Sequence, residues 1–169
     1  MYLDDVFPGS VLVFHLDGQR FALPMEVVHR VVRAVAITPL PGAPRLALGV
    51  INFGGVIVPV MNLRGRLGLP EREMELSDQF ILATCDRRTV ALLVDGVDGL
   101  TELPPAALVR SEEVVAGADF IHGLVRLRGG LALVQNLEKL LSPDEGRRLE
   151  EALSTRERND FTEASLPAQ

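Results

Sequence analysis

The residues that could act as nucleophiles, bases or metal ligands are few and widely separated. Nucleophilic catalysis needs a nucleophile beside a base that a third group orients, and the candidates are the single cysteine, Cys85, with His15, His29 or His122. Cys85 ends the apolar run FILATC and His15 lies inside the run VLVFHL, so both are predicted to be strand residues and Cys85 to be buried. The histidines form no HxH or HExxH motif. We therefore expect no catalytic residue and no metal site.

Two acidic runs could bind calcium or supply paired carboxylates, namely EREMELSD at 71–78 and VDGVDG at 94–99. The first lacks the glycine and the terminal glutamate of a calcium loop and is predicted to be a solvated linker. In the second, Asp95 and Asp98 flank Gly96 at the end of a predicted strand, where Asp and Gly favour turns. Lys139, the only lysine, does not follow the glycines of a phosphate-binding loop. We expect no cofactor and no nucleotide site.

Composition narrows the class of protein. With 169 residues, 47% of them hydrophobic and 24% charged, the chain has the content of one globular domain. A net charge of −6 disfavours a nucleic-acid partner. The longest apolar runs are far shorter than the roughly 20 residues that cross a bilayer, and Met1–Gly9 lacks the basic start of a signal peptide. One cysteine suits a reducing compartment, so we expect a cytoplasmic protein without membrane insertion.

Short apolar runs recur about every ten residues with Gly, Pro or Asp between them, a spacing typical of an all-β barrel or sandwich. Two Gly-Gly pairs, Gly54-Gly55 and Gly129-Gly130, each separate two such runs. Each pair is predicted to form a hairpin turn, because glycine adopts positive φ without a steric penalty. The clearest runs are Val11–Leu16, Phe21–Met25, Gly49–Phe53, Val56–Met61, Phe80–Cys85 and Val90–Val94.

The chain contains an internal repeat. Residues 49–67 align with 123–141 at an offset of 74, and residues 11–28 align with 80–97 at an offset of 69. Each half is about 70 residues long, a size at which a barrel alone is only marginally stable, so the two halves are predicted to share a core. The aligned pairs include Val60 with Val134, Asn62 with Asn136, Asp17 with Asp86 and Ala22 with Ala91.

Helices are predicted only at the ends of the halves. Asn62 and Asn136 each precede leucines four residues apart, which fits an N-cap that opens a short helical turn. Ser142-Pro143-Asp144-Glu145 has the residue types of a capping box and predicts a helix to about Leu153. We therefore divide the chain into an N-terminal segment at 1–9, one domain at 10–153 and a disordered, polar tail at 154–169.

Three segments resemble the CheW-like domain family: GVINFGGVIVPVMNLRGRLGL at 49–69, ALLVDGV at 91–97 and LEKLLS at 137–142. The resemblance extends over about Ser10 to Ser142. It implies a mainly β fold of two five-stranded SH3-like β-barrel subdomains around a shared core, with short helices and a C-terminal helix. The internal repeat independently predicts two similar halves that share a core.

The resemblance also implies a function. It implies a non-catalytic adaptor of a chemotaxis two-component system, which bridges the regulatory domain of a CheA-like histidine kinase to the cytoplasmic tip of a chemoreceptor. By position, the receptor-binding residues are Val28, Arg30 and Val32, with Asn52 and Gly54 nearby. Many relatives have Glu at the position of Arg30 and Arg at that of Gly54. For the valines, ordinary strand-core packing is the other interpretation.

The alternative from a different class is a small-molecule-binding β-barrel protein or an unrecognised enzyme. A deep polar pocket lined by carboxylates with shifted pKa values would favour that alternative, whereas a shallow apolar groove would favour the adaptor.

Overall fold

The computed structural model describes residues 9–103, 108–110, 121–128 and 130–164. Within these ranges the chain forms eleven β-strands, one α-helix and two short 3-10 turns at Met25–Val27 and Leu137–Lys139. No helix in the described ranges is long and apolar enough to cross a membrane. The elements are β1 (Gly9–Leu16), β2 (Gln19–Pro24), β3 (Val28–Arg33), β4 (Ala47–Phe53), β5 (Val56–Asn62), β6 (Gln79–Cys85), β7 (Arg88–Val94), β8 (Gly96–Leu103), β9 (Leu108–Arg110), β10 (Ile121–Leu127), β11 (Gly130–Gln135) and α1 (Pro143–Ala164).

The strands form two sheets. The first sheet has the order β8-β1-β2-β11-β10-β9, and the second sheet has the order β3-β6-β7-β5-β4. The predicted mainly β fold of two subdomains with a C-terminal helix is confirmed. The first sheet carries a sixth, three-residue strand, β9, beyond the five that were predicted.

Each sheet contains strands from both halves of the sequence repeat. The hairpin β1–β2 lies in the first sheet beside strands of the second half, and the hairpin β6–β7 lies in the second sheet beside strands of the first half. Each half thus contributes one hairpin to the sheet that holds the other strands of the opposite half. The two contributions are equivalent, because Ala22 pairs in parallel with Val134 while Ala91 pairs in parallel with Val60. The sequence repeat aligns these same positions, so the two sheets are structural counterparts.

Both sheets curl in a barrel-like manner. In the second sheet, the backbone of Thr38, beyond the end of β3, exchanges hydrogen bonds of 2.9 and 2.8 Å with Val50 of β4. In the first sheet, Val109 of β9 pairs with Leu124 of β10. Val50 and Leu124 are aligned in the repeat, so the two contacts are equivalent. In each sheet, the segment that follows one edge strand, β3 or β8, pairs with a strand at the opposite side of the same sheet, β4 or β10.

The apolar side chains form three clusters. One fills the inside of each sheet, and the largest lies between the two sheets and α1 and contains Phe14, Phe21, Met61, Ile81 and Leu149. This arrangement confirms the predicted shared core. Cys85 belongs to this cluster, where its thiol donates to the carbonyl oxygen of Leu137 at 2.9 Å. Burial, aided by Asp86, raises the pKa of the Cys85 thiol to about 11, so the cysteine is structural.

The predicted turn at Gly54-Gly55 is confirmed, whereas the turn predicted at Gly129-Gly130 lies one residue earlier in the chain, at 128–129. Gly54 and Gly55 have φ values of 58° and 87°, and they join β4 to β5 with Phe53 opposite Val56. Gly130 begins β11 opposite Leu127, and its neighbour in the turn, residue 129, lies outside the described residues. The counterpart turns at Asp17 and Asp86 also have positive φ values, of 51° and 46°.

One of the two predicted asparagine caps is correct. Asn62 Oδ1 accepts the N–H of Arg64 at 3.1 Å, and Leu67 N–H donates to Leu63 O at 3.1 Å, which closes one helical turn. The predicted cap at Asn136 is wrong, since its side chain makes no cap hydrogen bond. The reason is the short 3-10 turn that follows: the N–H of Lys139, at the N3 position that a cap would bind, already donates to the backbone carbonyl of Asn136 at 3.2 Å.

The capping box of α1 is confirmed. Ser142 Oγ accepts the Glu145 N–H at 3.1 Å, and Glu145 Oε1 accepts the Ser142 N–H at 3.0 Å. The predicted end near Leu153 and the disordered tail are wrong for residues 154–164, which continue the helix to Ala164. This stretch contains no Gly or Pro, and a helix already nucleated and docked upstream extends at little cost through ordinary helix formers. Residues 165–169 lie outside the described residues.

Candidate docking site

The predicted receptor-binding residues of β3 divide into exposed and half-buried positions. Arg30 is exposed, while Val28 and Val32 are half-buried. Val32 packs against the cluster inside the second sheet, and Val28 packs against the shared core. Both valines therefore contribute to packing, and only their outer parts are available to a partner.

The other two predicted residues lie at the β4–β5 turn. Asn52 and Gly54 are both exposed. Asn52 Oδ1 accepts the N–H of Gly55 at 2.9 Å and so holds the turn. A Cβ atom added at Gly54 would meet open space, but the φ of 58° disfavours any side chain there.

Curvature of the second sheet brings Arg30 next to Phe53, which lies between Asn52 and Gly54 in the chain. Although β3 and β4 are opposite edges of this sheet, the Cζ atom of Arg30 lies 5.7 Å from the centroid of the Phe53 ring. Val56 pairs with Phe53 across the hairpin and is 59% exposed. We name the four residues Arg30, Val32, Phe53 and Val56 the barrel mouth, since they lie where the inside of the second sheet opens to solvent.

Sequence reasoning missed Phe53 and Val56. Alternation in β4 places Phe53 on the side of Ile51, which is a sequence signal for the inside of the sheet. Nothing in the sequence indicates that this ring meets Arg30, because the contact spans two edges of a curled sheet.

The barrel mouth is apolar and cationic. Arg30 forms no ion pair and no hydrogen bond with any described residue. None of the five strands of the second sheet contains Asp or Glu, in a chain with 23 acidic residues. A carboxylate that pairs with Arg30 would therefore have to come from outside these strands.

A second polar group of side chains joins the two sheets. Asp95 Oδ1 accepts hydrogen bonds from Arg64 at 2.5 Å and from Arg72 at 2.6 Å, while Asp95 Oδ2 accepts the N–H of Asp17 at 2.8 Å. Burial acts to raise the pKa of Asp95, but the hydrogen bond from Asp17 and the two guanidinium groups outweigh burial and lower it. The carboxylate is thus held ionised in a structural role.

Arg72 extends this group to Asp78. Its two Nη atoms donate to the carboxylate of Asp78 at 2.9 and 2.7 Å, and these bonds raise the pKa of Arg72. Asp78 is only 1% exposed. The predicted solvated linker at 71–78 is therefore solvated in its middle, at Glu73 and Leu76, but anchored in the protein at its end.

A cleft of about 470 Å³ lies between β5, the turn that follows it and the start of α1. Its two carboxylates already have protein partners: Glu145 pairs with Arg66, and Glu71 accepts from Asn62 Nδ2 at 2.9 Å. Burial acts to raise the pKa of Glu145, but the bonds from Ser142 and Arg66 outweigh burial and lower it. A carboxylate held ionised by structural bonds is poorly suited to donate a proton.

Comparisons with known proteins agree with this fold. The family model described as CheW-like domain matches residues 10–145. The chain is 25% identical to the chemotaxis protein CheW of Rhizobium meliloti over 138 residues, which cover 80% of this chain and 89% of that protein. It is 30% identical to the chemotaxis protein CheW of Thermotoga maritima over 132 residues, covering 78% and 87%. The crystal structure of the scaffolding protein TtCheW from Thermoanaerobacter tengcongensis matches with a TM-score of 0.75 at 25% identity, covering 82% of this chain and 95% of that one.

Proposed function

The chain belongs to the CheW-like domain family of chemotaxis adaptors, and we propose that it couples chemoreceptors to a CheA-like histidine kinase without catalysing a reaction itself. The observation that carries the proposal is the family match over residues 10–145, which includes strands of both sheets and the start of α1. The names of the similar proteins, a chemotaxis protein and a scaffolding protein, support the same role. The proposed location is the cytoplasm, and neither nucleic acid nor the membrane interior is a proposed partner.

The architecture suits a protein that holds two partners at once. The two sheets share one core, and Asp95 links them by accepting the N–H of Asp17 from the first sheet while it pairs with Arg64 beside the second. A partner on one sheet is therefore positioned relative to a partner on the other. We assign the receptor tip to the five predicted residues Val28, Arg30, Val32, Asn52 and Gly54, together with Phe53 and Val56. A helix that docks there would present apolar anchors at i, i+3, i+4 and i+7.

The cleft beside α1 is where a small molecule would bind under the alternative function. Its carboxylates, Glu71 and Glu145, are both occupied by hydrogen bonds or ion pairs within the protein. By contrast, the barrel mouth offers an exposed apolar surface beside an arginine without an ion pair among the described residues. This contrast supports docking over catalysis.

The test uses three purified proteins from one genome: this chain, the regulatory domain of the CheA-like kinase and a soluble fragment of the receptor tip. Isothermal titration should show binding to each partner separately and binding of the second partner to the preformed complex with the first. A receptor fragment of the same composition in scrambled order is the control. Absence of binding to both partners, together with hydrolysis of ATP or another metabolite, would show that the proposal is wrong.

A further inference from the structure

Resting on the proposed adaptor function, we propose that the barrel mouth recognises a carboxylate of the receptor tip. The receptor helix that docks there presents an Asp or Glu next to an apolar side chain. The carboxylate binds Arg30, and the apolar side chain covers Phe53 and Val56.

The first support is the position of the Arg30 guanidinium. It lies over the Phe53 ring with 5.7 Å between Cζ and the ring centroid, which is within the range of a cation–π contact. That contact occupies none of the N–H groups as hydrogen-bond donors, so they can bind the two oxygens of a carboxylate in forked geometry. Contact with the ring restricts the arginine, so less side-chain entropy is lost when a carboxylate binds.

The second support is the apolar surface beside the cation. Val56 is 59% exposed, and Val32 and Phe53 are half-buried next to the cluster inside the sheet. An apolar side chain placed on this surface removes it from water. It also excludes water from the ion pair, which strengthens the attraction between guanidinium and carboxylate.

The third support is the distribution of charge along the chain. Residues 27–70 contain five arginines and no acidic residue, so this segment contributes +5 to a net charge of −6 and leaves −11 on the rest of the chain. Two of the five, Arg64 and Arg66, are paired with Asp95 and Glu145. Arg30, Arg33 and Arg45 form no ion pair with any described residue, and of these three Arg30 is the one that lies at the barrel mouth.

Arg33 supplies a matched control on the same strand. Strand alternation puts Arg30 and Val32 on one side of β3, and Val31 and Arg33 on the other. The packing agrees, because Val32 contacts the cluster inside the sheet and Val31 contacts the shared core. A charge reversal at Arg33 therefore changes the net charge by the same amount as a reversal at Arg30 but leaves the barrel mouth unchanged.

The experiment measures the Kd of four chains for the soluble receptor tip and for the kinase regulatory domain: wild type, Arg30→Glu, Arg30→Gln and Arg33→Glu. Arg30→Glu should weaken receptor binding at least tenfold and leave kinase binding unchanged, whereas Arg33→Glu should change receptor binding less than twofold. Arg30→Gln should weaken receptor binding less than Arg30→Glu and reduce its dependence on salt. Exchanging the acidic residue of the tip for arginine should restore binding to Arg30→Glu.

The outcomes separate this inference from the adaptor function. If wild type binds both partners and Arg30→Glu binds the tip as well as wild type does, the carboxylate inference is overturned and the adaptor function stands. If wild type binds neither partner, both fall. If Arg30→Glu also lowers the melting temperature, receptor binding by Arg30→Gln at several salt concentrations becomes the deciding measurement. If its dependence on salt equals that of wild type, the inference is overturned.

Discussion

Nη2 of Arg64 lies 2.5 Å from Oδ1 of Asp95, and this contact joins the end of β5 to the residue at which the chain passes from the second sheet to the first. Asp95→Ala should lower the free energy of unfolding by about 3 kcal/mol, because it leaves the guanidinium of Arg64 buried without a carboxylate. Urea unfolding of the purified variant measures this loss. Asp98→Ala is the control: Asp98 and its partner His15 are each 39% exposed, so the loss should be below about 1 kcal/mol. Equal losses in the two variants would contradict the structural role of Asp95.

Acid should destabilise the protein through Asp95 and Glu145. Both have a lowered pKa in the folded state, where hydrogen bonds and ion pairs outweigh burial. The unfolded chain, with carboxyl pKa values of about 4, then takes up protons first as the pH falls. The stabilisation is therefore complete above about pH 5 and is lost progressively as the pH falls through the lower folded-state values. Urea unfolding at a series of pH values should show a smaller decline for Asp95→Asn than for wild type, and parallel curves would contradict the assignment.

A glycine in the β6–β7 turn should stabilise the protein. Asp86 and Arg87 both have positive φ, of 46° and 67°, a conformation that costs a non-glycine residue roughly 1 kcal/mol. In the counterpart turn, Asp17 is followed by Gly18 with a φ of 74°. Arg87→Gly should therefore raise the free energy of unfolding by about 0.5 to 1 kcal/mol, measured by urea unfolding, and Gly18→Arg should lower it. A loss of stability in Arg87→Gly would contradict the strain at this turn.

A double-mutant cycle can measure whether charges at positions 30 and 54 interact at the barrel mouth. Gly54→Arg should cost about 1 kcal/mol because of its φ of 58°, with a further loss from repulsion by Arg30. Adding Arg30→Glu should recover roughly 0.2 to 1 kcal/mol. Thermal melting and receptor binding both measure this coupling energy. A coupling energy of zero in both measurements would leave only the backbone cost of the turn.

Truncation tests the extension of α1. Among its described side chains, Leu149, Ala152 and Leu153 pack in the shared core. Removal of residues 154–169 should therefore reduce the helical circular dichroism signal but leave these contacts in place. The free energy of unfolding should fall by less than about 1 kcal/mol, because these three buried residues remain. Partner binding should be unchanged. A large drop in melting temperature would show that the extension packs on the domain.

Local features of this protein were predictable from the sequence. The turn at Gly54-Gly55, the capping box of Ser142 and Glu145, and the buried strand that ends at Cys85 all depend on residues close together in the chain. The positions of two candidate-site groups, around Arg30 and around Asn52, followed from the resemblance to the family. The extension of α1 beyond Leu153 did not follow, because a polar stretch without Gly or Pro is compatible with both a helix and a disordered tail.

Tertiary structure decided which strands pair and which side chains meet. The repeat made β1–β2 and β6–β7 equivalent, and equivalent hairpins have the same local preferences, so the sequence could not say in which sheet each hairpin lies. Tertiary structure also decided the contact of Arg30 with Phe53 and the hydrogen bonds of Arg64 and Arg72 to Asp95. Each joins segments distant in the chain, and such contacts arise only when sheet curvature and the shared core bring those segments together.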